Sequence, residues 1–315
     1  MKKINPISHI FYFWILFLSI GSIKAQNSIR PDTIPFQIGS DQRIYVSTHI
    51  NHSSQTFRFL IDTGATDIVL NSAIAEIMEL ASFSEVVNNN GATSSEQIPA
   101  TPANQSIQIG NSLLKGVRFI AIGYPPEAWD GVLGLSFLKN YDVVIQYDRK
   151  EMYLYPKGRA PRPKEHPISF EYIAGVPIIP VQVTINGKQH QLKVELDSGS
   201  DRILDLNSPY VKKHQLRGTL PVFAISRISG TGNNLGELEN VCFDTAQIGD
   251  TTFPLLPGAF STLTSGLQAT DAFDGVIGNN LLQRFNQTWD FTKKQIHLTV
   301  NHRYYLPFYD FLIAK

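Results

Sequence analysis

Two short stretches of this chain place an aspartate where an apolar strand runs into a tight turn. "FLIDTGATDIVL" spans Phe59 to Leu70, and "VELDSGSDRILDL" spans Val194 to Leu206. In each, the Asp is followed by a small hydroxyl residue and a glycine: Asp62-Thr63-Gly64 and Asp197-Ser198-Gly199. An Asp at the end of an apolar strand is costly unless it is hydrogen-bonded or paired. One such residue is ordinarily a turn cap. Two in corresponding places call for a pseudo-twofold axis that brings the turns together. Two carboxyl groups about 3 Å apart cannot both ionise, so they share a proton. The ionised member can take a proton from water while the neutral member donates to a carbonyl. General base and general acid then sit in one site without a metal.

The neighbouring residues suit that chemistry. Gly64 and Gly199 let backbone amides approach the carboxylates, and Thr63 and Ser198 supply hydroxyls that can lock the turns against each other. The elements that must position them are duplicated as well. "IYVSTHIN" (Ile44 to Asn51) falls on "IPVQVTIN" (Ile179 to Asn186) at the offset that separates the aspartates, 197 − 62 = 135. Both alternate apolar and polar residues, as half-buried strands do. Downstream, "WDGVLGLSFLKNYDVVIQYDRKEMYLYP" from Trp129 aligns without a gap to "FDGVIGNNLLQRFNQTWDFTKKQIHLTV" from Phe273, at an offset of 273 − 129 = 144. "LNSAIAEIMEL" and "NSPYVKKHQL" follow the two turns as short helix candidates. The second has Ser208 as its expected cap and Pro209 at the first helical position. A period of about 140 residues is too long for a solenoid and reads as one domain duplicated. The Pro-rich stretch "PKGRAPRPKEHP" (Pro156 to Pro167) is the expected connection, because Pro favours extended, solvated chain. The boundary is placed near Ala160. The predicted fold class is all-β, with two homologous barrel-like lobes, residues 26–160 and 161–315, and a cleft between them.

"LIDTGAT" and "ELDSGSD", followed by "GVLG" (Gly131 to Gly134) and "GVIG" (Gly275 to Gly278), resemble the signatures of aspartic proteases of the pepsin and retropepsin superfamily. In that family an apolar-apolar-Gly strand passes through the loop that holds each Asp. The resemblance covers essentially the chain after residue 25. It implies a bilobal acid-protease fold and peptide-bond hydrolysis, with Asp62 and Asp197 as the catalytic pair. Thr63, Gly64, Ser198, Gly199 and Ser200 would brace the pair. An extended peptide would lie under a hairpin flap, with Asn90, Gly91 and Ala92 of the first lobe and Gly230 and Gly232 of the second as substrate contacts. Two departures from the family pattern stand out. Pepsin-like enzymes carry a Tyr on the flap, and no Tyr occurs between Phe83 and Gly123. The family also has a hydroxyl three residues after each Asp, donating to a carboxylate. Here the first copy has Ala65 and the second Ser200. A donor to the charged form lowers a pKa, so Asp197 is expected to ionise more readily and Asp62 to hold the shared proton. A peptide-binding protein without catalysis is the rival reading on the same fold, and a metal-dependent hydrolase is a third.

Composition narrows the partners. With 27 basic and 27 acidic residues among 315 the formal net charge is zero, which gives no reason to expect nucleic acid or an anionic membrane. A peptide or protein substrate and a monomer are expected. Lys2 and Lys3 precede the apolar run "IFYFWILFLSIGSI" and then "KA", the pattern of a secretory signal cleaved after Ala25. The protein is therefore expected in the periplasm, cell envelope or medium, without stable membrane insertion; an uncleaved anchor is the alternative. The single cysteine, Cys242, cannot form an internal bridge and is expected as a small core residue. His49 and His52 lie three apart, on opposite faces of a strand, and no H-E-x-x-H stretch occurs, so neither metal nor cofactor is expected. "GTGNNLG" (Gly230 to Gly236) lacks the following helix of a phosphate loop and reads as a second-lobe hairpin tip.

Overall fold

The computed structural model describes residues 30–78, 83–90, 95–125, 128–229 and 235–308. The predicted leader (1–25) and the substrate contacts Gly91, Ala92, Gly230 and Gly232 lie outside the described residues. Asn90 ends a described strand, but its side chain lies outside them too.

The described residues are almost all β, as expected, and build three sheets. The first lobe contains a sheet in the order 85–90, 95–100, 119–122, 68–71, 131–133, 57–61, 44–50, 105–109 and 112–117, with 37–38 against 44–50. The second runs 171–173, 176–185, 188–197, 275–278, 204–206, 251–261, 235–248 and 224–229. It curls on itself, because Gln182–Thr184 also pairs with Thr245–Gln247. Alternation explains these strands. In Val176–Ile185 the residues Val181, Val183 and Ile185 are buried while Gln182 and Thr184 face outward. No helix among the described residues is long and apolar enough to cross a membrane.

The third sheet joins the two halves. Its order is 32–35, 151–155, 142–146, 285–290, 295–300 and 168–169, so three strands come from each copy. At its centre Val144 pairs with Thr288, flanked by Val143 with Trp289 and Ile145 with Gln287. Val144 and Thr288 are copies of each other at the 144-residue offset (288 − 144 = 144). The pseudo-twofold axis therefore passes between them.

The GVLG and GVIG elements thread each Asp-bearing loop. Gly131–Leu133 runs parallel to Phe57–Ile61 and antiparallel to Ile68–Asn71, and Gly275–Gly278 repeats this between Lys188–Asp197 and Leu204–Leu206. A Cβ on Gly134 would lie 2.1 Å from Asp67 O, and one on Gly278 would lie 2.3 Å from Arg202 O. Only a residue without a side chain can pass there.

Both predicted helices form, as Ser72–Ile77 and Ser208–Lys213. The second starts one residue early: Asn207 occupies the cap, Ser208 is the first helical residue, and the Ser208 hydroxyl bonds Leu263 O instead. Cys242 is half-buried rather than in the core. The aromatic tail is anchored as far as it is described. Arg284 donates to the carbonyls of Arg303, Leu306 and Pro307, and the Tyr304 ring packs tilted against Phe253.

Candidate active site

Asp62 follows the strand Phe57–Ile61, and Asp197 ends Lys188–Asp197. The two carboxyl groups hydrogen-bond each other across the axis. Each is also held by its own turn. Asp62 Oδ1 accepts from the amides of Gly64 (2.7 Å) and Ala65 (3.1 Å). Asp197 Oδ1 accepts from those of Gly199 (2.9 Å) and Ser200 (3.0 Å). A Cβ on Gly64 would lie 2.7 Å from Asp197 Cγ, and one on Gly199 would lie 2.3 Å from Asp62 Cγ. Each glycine thus leaves the room that the opposite carboxyl fills.

Thr63 and Ser198 interlock behind the pair. The Thr63 hydroxyl donates to Leu196 O (2.6 Å) and accepts from the Ser198 amide (3.0 Å). The Ser198 hydroxyl donates to Ile61 O (2.9 Å) and accepts from the Thr63 amide (3.0 Å). Both residues are buried, so these bonds face no competition from water. Ser200 braces through its backbone alone. Its hydroxyl accepts from the Arg202 amide (3.2 Å) and is not the expected donor to Asp197.

The groups around the pair run against the expected protonation. Burial raises both pKa values. Asp62 is pulled back by the proton that Asp197 donates, by the Gly64 and Ala65 amides and by the charge of Arg43. Asp197 is driven well above the usual carboxyl value by burial, by the charges of Asp62 and Glu195, and by its role as donor. The Arg43 charge and the Asp62 turn favour the charge on Asp62, and the charges around Asp197 favour the proton there. The two titrate as a pair, and this is its favoured microstate.

Three groups near the pair were not singled out from the sequence. Arg43 lies 3.4 Å from Asp201 of the second lobe and 3.6 Å from Asp41, and stacks over Trp129 at 5.3 Å. Tyr124 packs on Trp129, with ring centroids 5.0 Å apart, and burial and the charge of Asp62 raise its phenol pKa. The aromatic near the dyad thus follows the strand Phe119–Ile122, one residue beyond the segment without tyrosine. Glu195 is a third buried carboxyl. The signal for it was present: 135 residues earlier the first copy has Leu60 (195 − 60 = 135), so an acid has replaced an apolar residue in a buried strand.

The hairpin Glu85–Asn90 with Ser95–Ala100 reaches the Asp62 turn through Val87. A cavity of about 190 Å³ beside the dyad is lined by Gly64, Ala65 and Val87 of the first half and by Ala174, Val176 and Leu267 of the second. A larger one, about 610 Å³, lies beside Ser208 and Leu263 and has no acidic residue in its lining. Among the described residues no three His, Cys, Asp or Glu side chains are arranged to hold a metal ion.

Two lobes, an axis and a hydrogen-bonded Asp pair define an acid-protease fold. Residues 46–140, which carry the Asp62 turn, the hairpin and GVLG, match the family model of gag-polyprotein aspartyl proteases. Over that stretch the chain is similar to the pepsin/retropepsin-like aspartic proteases. No curated protein matches it.

Proposed function

We propose that this protein is an exported aspartic endopeptidase that acts as a monomer on peptides or proteins. The observation that carries the reading is the Asp62–Asp197 hydrogen bond across the axis, with matched amide donors on both sides. A water between the carboxyls gives its proton to ionised Asp62 and attacks the scissile carbonyl carbon. Asp197 donates its proton to the carbonyl oxygen. The resulting gem-diol collapses as Asp62 passes its proton to the leaving nitrogen and Asp197 takes a proton back from one gem-diol hydroxyl, which restores the starting dyad; no covalent enzyme intermediate forms. An extended peptide would bind beneath the hairpin Glu85–Ala100 through main-chain hydrogen bonds, as an added strand does. The apolar run after Lys3 supports export, and N-terminal sequencing of protein from the envelope or medium should begin at or near Gln26.

The direct test is incubation of the mature protein with a peptide library, with and without a pepstatin-type inhibitor. Cleavage should occur and be inhibited. Asp62→Asn and Asp197→Asn should each abolish it while leaving the fold intact, because the pair works as a unit. Near-wild-type turnover in either variant would refute the assignment.

A further inference from the structure

The strand Lys188–Asp197 has two faces. Leu192, Val194 and Leu196 enter the main core. Lys193, Glu195 and Asp197 point the other way. Lys193 is exposed and pairs with Glu171 at 2.8 Å, and Asp197 belongs to the dyad. Glu195, between them, is 1% exposed. Across the sheet it stands opposite Ile178 on one side and Val276 on the other. Both belong to a small apolar cluster with Val176 and Phe273. Among the described residues Glu195 Oε1 has no hydrogen-bond partner, and it lies 3.1 Å from the Cβ position of Gly64. The counterpart residue, Leu60, lies in an equally apolar cluster in the first lobe.

An unpaired carboxylate is costly in such surroundings, so the group stays protonated instead. Burial, and then the charge of Asp62, push its pKa up to about 8. The charged and titratable groups around it are few. Asp62 and Asp197 face it from the two turns. Arg43 faces the dyad but is engaged by Asp41 and Asp201, and Tyr124 packs on Trp129 against the first lobe's smaller apolar cluster. Lys193 is held by Glu171, and Asp274 accepts from the Lys193 amide. The flanking strands Val176–Ile185 and Gly275–Gly278 contain no charged residue.

We infer that Glu195 is a third member of the carboxyl cluster, a positioning residue that keeps the proton on Asp197 and so extends the singly protonated dyad to higher pH. With one charge on Asp62, the proton lost from Glu195 to solvent places a second charge in the same apolar space. Loss of the Asp197 proton would then create a third. Like charges at short range disfavour each further ionisation, so the form with one proton on the dyad outlasts the ionisation of Glu195. The consequence for catalysis rests on the protease reading; the order of proton loss does not.

The test uses Glu195→Gln in the full mature chain, which keeps the shape and removes the titration. Two readouts are taken: the pH profile of kcat/KM, and the ¹³C NMR titration of the Asp197 carboxyl, assigned with Asp197→Asn. The alkaline limb should fall by about one pH unit, an approximately tenfold loss of activity at a pH above the variant's limb. The Asp197 titration should fall with it. The acid limb should stay in place, because Glu195 is uncharged there. Uniform loss at every pH with an unmoved Asp197 titration would mean that Glu195 is merely packed, and would overturn the inference. Should the Gln variant fail to fold, Glu195→Leu, which restores the first-lobe residue, carries the same expectation. If wild type cleaves nothing but the Asp197 titration shifts, the protease reading fails and the inference stands. If wild type cleaves and neither readout shifts, the reverse holds.

Discussion

Replacing Thr63 with valine removes one hydroxyl and keeps the side-chain volume, so it separates hydrogen bonding from packing. The Thr63 hydroxyl serves two buried groups, Leu196 O at 2.6 Å and the Ser198 amide at 3.0 Å. Thr63 is 1% exposed and Ser198 0%, so water cannot take its place. A buried polar group stripped of its partner costs about 1–3 kcal/mol. Two such groups would cost about 2–6 kcal/mol. The carbonyl is the more tolerant of the two, because it has two lone pairs, and this places the expected loss near 3 kcal/mol. That is a large part of the roughly 5–15 kcal/mol that holds a typical domain folded. Urea unfolding followed by Trp289 fluorescence, with that ring buried in the joining sheet, measures it directly. Ser198→Ala should behave alike, since its hydroxyl serves Ile61 O and the Thr63 amide. The double variant should lose less than the sum, because both hydroxyls close the same interface between turns. A loss below about 1 kcal/mol for Thr63→Val, or strict additivity in the double variant, would show that the interlock does not hold the turns together.

Two further outcomes follow from the same geometry. Glu195 has its pKa raised from 4.5 to about 8, so the unfolded chain ionises it first and stability falls as pH rises between those values. At pH 7 the neutral side chain costs about 3 kcal/mol, from 7 − 4.5 pH units at about 1.4 kcal/mol each; Glu195→Leu should gain about that much at pH 7 and little at pH 4, and an equal difference at both would refute the assignment. Gly199→Ala would place a Cβ 2.3 Å from Asp62 Cγ, so Asp62 must move by a sizeable fraction of an ångström. kcat should fall about a hundredfold with the fold retained, and a variant with full activity would show that the turns have more room than the structure allows.

The sequence carried the features that repeat and little of what crosses between copies. Asp62 and Asp197, Thr63 and Ser198, and the threading glycines were legible because each satisfies a local backbone demand that both copies must meet. The sheet that joins the halves was not, since the pairing of Val144 with Thr288 is set by the axis rather than by any nearby residue. Ser200 misled, because a hydroxyl at a family position implies a donor, whereas a two-residue turn to the Arg202 amide claims it as an acceptor. Tyr124 was missed because the aromatic was sought on the hairpin, and spatial closeness to the dyad comes instead from the strand after it. Glu195 was visible at the 135-residue offset, but a single polar letter in "VELDSG" reads as surface until the strand's two faces are assigned.

The duplication makes the two turns nearly equivalent, yet the proposed chemistry needs two different residues, a base and an acid. The amides cannot supply that difference: they reach Asp62 at 2.7 and 3.1 Å and Asp197 at 2.9 and 3.0 Å. The hydroxyl interlock is reciprocal and cannot supply it either. What differs lies outside the turns. Arg43 adds a positive charge that draws the Asp62 pKa down, and Glu195 adds a potential negative one that pushes the Asp197 pKa up. Neither charge is repeated in the other copy: 135 residues after Arg43 stands Ile178 (43 + 135 = 178), and 135 residues before Glu195 stands Leu60. The shared fold fixes where the carboxyls meet, and Arg43 and Glu195 are the unshared charges that set their surroundings apart.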